Sequence, residues 1–190
     1  MELLGKTVSG IMVTLLLIGM LTFVFHVQPV RASGTIYIKA DGSVIPQDAP
    51  ISSVDNVTYT FTGNINDSIV VERDNIIIDG AGYTVQGTGA YESKGIDLSG
   101  KENVTIRNME TRAFYYGIYL SESSNNSVVG NNITNNSYGI YLQDTSNNNS
   151  VKGNNITNNY DGIYLGNSSI NTISGNNITN HGSGIHLWES

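Results

Sequence analysis

Five residues set one repeat apart carry the most suggestive chemistry in this 190-residue chain: Asp97, Tyr119, Tyr141, Tyr164 and His186. Trp188 lies two residues beyond His186 and shares its side if the segment is a strand. A row of exposed aromatic rings can stack on the apolar faces of sugars, leaving hydroxyls free to hydrogen-bond. The same row can equally do no more than stabilise a sheet by pairing neighbours. A second column, Glu122, Asp144, Asn167 and Glu189, falls five residues after successive repeat glycines. Glu122 and Asp144, one coil apart, could share a Ca²⁺ ion or act as an acid/base pair on a glycosidic bond. Asp and Asn at such places also do ordinary turn work.

These columns exist only because the chain repeats. Gly117-Ile118-Tyr119-Leu120 recurs at Gly139 to Leu142 and Gly162 to Leu165. Gly95-Ile96-Asp97-Leu98 precedes these copies, and Gly184-Ile185-His186-Leu187 follows them. The glycines step by 22, 22, 23 and 22 residues. A second marker, Gly-Asn-Asn-Ile-Thr, begins at Gly130, Gly153 and Gly175 and keeps the same period. A fixed period of this length marks a solenoid. Within Gly-Ile-Tyr-Leu the apolar residues alternate as in a strand with one buried face. Further short strands are expected at Val128, Val151 and Ile173, with Ile133, Ile156 and Ile178 as additional inward contacts. The Asn, Gly and Ser between them suit tight bends, and no window shows helical spacing.

The expected fold is therefore all-β: a right-handed parallel β-helix of coils about 22 residues long. One coil cannot bury its own Ile and Leu, whereas stacked coils align them into a continuous core. Each buried side chain then contributes roughly 1.5–3 kcal/mol. Ile96, Ile118, Ile140, Ile163 and Ile185 form one predicted column, and Leu98, Leu120, Leu142, Leu165 and Leu187 another. Asn131, Asn154 and Asn176 align too, beside Asn132, Asn155 and Asn177, so their amides can bond along the axis as an asparagine ladder. The repeats are assigned to residues 73–190, and residues 33–72 to an N-terminal β cap with the first coils, covering an edge that would otherwise be unpaired. The sequence stops at Ser190 directly after a repeat marker, so further coils are expected beyond it.

Residues 1–32 read as an export signal. Lys6 supplies a positive start, Ile11 to Phe25 an apolar run, and Val30-Arg31-Ala32 a cleavage site. If uncleaved, that segment is the one expected attachment to a membrane. Its removal leaves 15 acidic against 7 basic residues. Such an acidic chain, with its few basic residues scattered singly, does not suit nucleic acid. The absence of cysteine removes disulfides and thiolate chemistry. A secreted or cell-surface location follows from the leader. Ten Asn-x-Ser/Thr sequons, among them Asn56, Asn66, Asn103, Asn125 and Asn148, offer glycosylation sites. Asn132, Asn155 and Asn177 are expected to resist modification.

Asn75 to Gly87 (NIIIDGAGYTVQG), Asn103 to Asn108 (NVTIRN), Tyr138 to Leu142 (YGIYL) and Gly130 to Thr134 (GNNIT) resemble the right-handed parallel β-helix repeat family. The likeness is particularly to its NosD-like periplasmic copper-binding members. The resemblance implies the β-helix fold, polysaccharide or cell-surface glycan as a ligand class, and copper as a possible cofactor. Copper favours Met, Cys and His ligands, and beyond the leader those are Met109, His181 and His186. Three functions stay open: an exported structural or adhesive scaffold binding polysaccharide through Tyr119, Tyr141, Tyr164, His186 and Trp188; a polysaccharide lyase or glycosidase acting through coils beyond Ser190; and a copper-accessory protein. No catalytic cluster is visible in the segment itself.

Overall fold

The computed structural model describes residues 34–190, so the export signal read at residues 1–32 lies outside it. Twenty short strands build three sheets, and no helix occurs among the described residues. The strands stack as a parallel β-solenoid of about 6 turns, roughly 22 residues apart. Each regular coil crosses all three sheets in turn: Tyr116–Ser121, Ser127–Val129 and Asn132–Thr134 make one coil, and Tyr138–Gln143, Ser150–Lys152 and Asn155–Thr157 the next. The widest sheet has eight strands, in which Lys94–Asp97, Tyr116–Ser121, Tyr138–Gln143, Asp161–Gly166 and Ser183–Trp188 follow one another in parallel. Antiparallel pairs occur where Ile36–Ile38 meets Val44–Ile45 and where Ile51–Ser52 meets Thr58–Phe61.

The predicted apolar columns fill the interior. Ile96, Ile118, Ile140 and Ile163 are fully buried, as are Leu98, Leu120 and Leu142. Val128 and Val151, from the seven-stranded sheet, and Ile133 and Ile156, from the five-stranded sheet, complete the same core. Ile185 and Leu187 of the last described coil are exposed.

One feature of the broad strands departs from simple alternation. In Tyr116–Ser121 both Gly117 and Ile118 are buried, between outward Tyr116 and Tyr119. The parallel register pairs Tyr116 with Tyr138 and Ile118 with Ile140 but skips the glycines. A Cβ added at Gly117 would lie 2.6 Å from the Gly139 carbonyl oxygen, and one at Gly139 would lie 2.5 Å from that of Gly162. Glycine is therefore required by the close approach of neighbouring coils, and the strand bends there.

The corners share one construction: a residue in the left-handed region, then one that turns inward. Asn125 and Asn148 have φ of 61° and 57°, and the buried residues after them are Asn126 and Asn149. At another corner Gly130 and Gly153 take the left-handed place before buried Asn131 and Asn154, and at a third Asn135 and Asn158 precede Asn136 and Asn159. Each inward amide bonds to the coil before it. The Asn154 Oδ1 accepts from the Asn131 backbone N–H at 2.9 Å, and its Nδ2 donates to the Val128 carbonyl at 2.9 Å. Asn149 does the same for Asn126 N–H and the Ser123 carbonyl, and Asn159 for Asn136 N–H and the Ile133 carbonyl. Along the column the Asn131 Nδ2 donates to Asn154 Oδ1, and that of Asn154 to Asn176 Oδ1. The bends thus gain partners for backbone groups that would otherwise be buried unpaired.

Candidate functional site

The bend at each repeat glycine puts two outward columns on the broad sheet. Tyr119, Tyr141, Tyr164 and His186 are in direct register, with Asp97 ahead of them. The second column, Lys94, Tyr116, Tyr138, Asp161 and Ser183, runs beside it. Strict alternation from Tyr119 points Tyr116 inward, which hides this column from a sequence reading. The signal available was the residue immediately before each repeat glycine, a tyrosine in two successive coils. Tyr115 and Tyr91 extend the aromatic surface, their rings 4.9 Å apart and edge-on.

The rings form a continuous tile. Tyr119 and Tyr141 are stacked at 5.7 Å and Tyr141 and Tyr164 at 4.5 Å, each pair within 5° of parallel. Tyr116 and Tyr138 stack at 5.5 Å, and Tyr116 leans on Tyr141 at 4.7 Å. Charged groups bound the tile at both ends. The Lys94 ammonium sits 3.8 Å from the Tyr119 ring centroid and 2.8 Å from the Asp97 carboxylate. At the other end the buried Asp161 carboxylate lies 3.1 Å from His186 Nδ1, and the His186 ring meets Tyr164 edge-on at 5.0 Å. The faces of Tyr119, Tyr141 and Tyr164 are thus largely taken up by each other, by Lys94 and by His186. What the tile offers outward is ring edge and phenol hydroxyl, and the Tyr119 hydroxyl accepts from Gln143 Nε2 at 2.6 Å.

Burial sets the acidity of these phenols. Desolvation, followed by the neighbouring Tyr115 and Tyr119 phenols, pushes Tyr116 up to about 12. Tyr141 is raised by burial and then by Tyr164 and Tyr116, and Tyr138 by burial, Tyr115 and Asp161. The hydroxyls of Tyr116, Tyr138 and Tyr141 therefore stay neutral well into the alkaline range.

The other sequence candidates lie elsewhere. Trp188 is exposed at the far edge of the broad sheet, in register with Gly166. Glu122 and Asp144 hold left-handed corner positions, with φ of 53° and 52°, and are exposed. The Asp144 carboxylate accepts from the Ser121 hydroxyl at 3.2 Å. Among the described residues no three His, Asp or Glu side chains gather as a metal-binding group. Met109, His181 and His186 occupy three different columns. Met109 is buried in the core ahead of Asn131, whose Oδ1 accepts its N–H. His181 follows left-handed Asn180 at the corner used by Asn136 and Asn159, and His186 ends the tyrosine column.

A family described as "Periplasmic copper-binding protein (NosD)" matches residues 24–190, most of the chain. The chain belongs to the NosD family. No curated protein and no solved structure matches it. A NosD-family description directs attention to copper, yet the soft donors of these coils do not fit a shared site. Copper needs several Met or imidazole donors converging on one point. Here one is sealed in the core, one has both ring nitrogens against backbone groups, and one leans on a carboxylate.

Proposed function

We propose that this NosD-family chain is an exported β-solenoid scaffold whose tyrosine tile holds an extended polysaccharide. The observation that carries this reading is the gathering of seven tyrosines, Tyr91, Tyr115, Tyr116, Tyr119, Tyr138, Tyr141 and Tyr164, into one contiguous surface. Its repeat along the axis is about 4.8 Å, close to the length of one extended sugar unit. Because ring faces are spent on one another, recognition falls to ring edges and to the row of hydroxyls. The leader read at residues 1–32 and the periplasmic description of the family support an extracytoplasmic place of work.

Retention on insoluble glycans tests the proposal. Tyr119→Phe, Tyr141→Phe and Tyr164→Phe together keep the stack and remove three hydroxyls, so retention should fall about tenfold or more, the loss of one or two net hydrogen bonds. Wild-type protein that binds nothing on a glycan array would remove the idea. The family description favours a second reading, an accessory role toward copper, for which binding tighter than about micromolar is the minimum expectation.

A further inference from the structure

His181 stands where asparagines stand in the two preceding coils, and its ring reproduces their bonds. In Asn159, Oδ1 accepts from the Asn136 N–H at 2.9 Å and Nδ2 donates to the Ile133 carbonyl at 3.0 Å. In His181, Nδ1 lies 3.1 Å from the Asn159 backbone nitrogen and Nε2 lies 3.0 Å from the Ile156 carbonyl. The residue before it, Asn180, has φ of 60°, matching 56° at Asn135 and 57° at Asn158. Nδ1 is also 3.0 Å from the Asn159 carbonyl, so in either tautomer both ring nitrogens face backbone groups. The tautomer that matches the column carries its proton on Nε2.

We infer that His181 is a corner residue standing in for asparagine and is withheld from copper, the metal that the family's description names. A metal at His181 would have to displace the partner of the Asn159 N–H or of the Ile156 carbonyl, both supplied by the ring itself. Ligation there therefore competes with the joint between two coils.

The test uses the full chain with its copper affinity and its amide exchange read together. His181→Asn should leave both copper affinity and the slow exchange of the Asn159 amide within about twofold of wild type. His181→Ala should speed exchange at Asn159 about tenfold or more, the loss of one net hydrogen bond. The inference is overturned if His181→Asn, still folded by circular dichroism, loses copper binding. It is equally overturned if saturating copper makes the Asn159 amide of wild type exchange rapidly, since that would mean the ring has left its corner.

Discussion

Two glycines show how differently one residue type is used. Gly139 faces the Gly162 carbonyl so closely that a methyl group has no place, whereas Gly153 has open space and a φ of 65°. Gly139→Ala should therefore cost about 2–3 kcal/mol through overpacking of a joint that cannot widen. Gly153→Asn should change stability by no more than about 0.5 kcal/mol, because asparagine tolerates that conformation and Asn108 already holds the same corner two coils earlier. Urea unfolding of the two variants checks both figures, and a Gly153→Asn variant as damaged as Gly139→Ala would refute the distinction. The glycine period and the Ile and Leu columns were legible in the sequence because each repeats one residue type at one interval. The buried columns through Asn126 and Asn149, and through Asn136 and Asn159, were not. Both lie in Asn-Asn pairs whose first member points out and whose second points in, a division set by the left-handed corner rather than by residue type. They also continue into other residues: Val104 precedes Asn126, and His181 follows Asn159.

At the scale of an element, the broad strand is the unit that makes the tile. Its glycine bend lets residues three apart share a face, which is why the sequence disclosed the column of Tyr119, Tyr141 and Tyr164 but not that of Tyr116 and Tyr138. Tight stacking has a consequence in alkali. Burial pushes Tyr116 up to about 12 from the ordinary phenol value of 10.0, and Tyr138 and Tyr141 are raised in the same direction. Between those values the folded state holds more protons than the unfolded state, so stability falls as pH rises. Below pH about 10 this contribution is constant. Thermal unfolding should therefore move to lower temperature as pH climbs above 10, with the phenolate absorbance of Tyr116, Tyr138 and Tyr141 appearing together with loss of structure. Replacing Tyr116 with Phe should flatten part of that slope. A phenolate signal from these residues near pH 10 in fully folded protein would contradict the buried stack.

Across the whole molecule, each coil contacts chiefly its two neighbours through the same parallel register and the same corner bonds. Residues 131–153 constitute one complete coil, since Asn132 pairs with Asn155 and Ile133 with Ile156. Deleting that segment joins Gly130 to Asn154 and preserves every column. The shortened chain should fold, with strand content intact and a urea m-value reduced in proportion to the surface lost. Deleting only 131–141 should prevent cooperative folding, because half a coil puts corner residues opposite strands. Equal behaviour of the two deletions in circular dichroism would show that the columns do not set the register.

The corner amides also give the molecule a grain. Bonds between coils run along the axis, so tension between the two ends bears on every joint in series and the weakest layer gives way first. Under such a pull the chain behaves as a ratchet of equal links, each releasing about 22 residues. At ~3.3–3.6 Å per residue, that is on the order of 70–80 Å of slack for every layer that gives way. A force across the axis is shared by all the layers in parallel. A scaffold of this kind is extensible along one direction and stiff in the others.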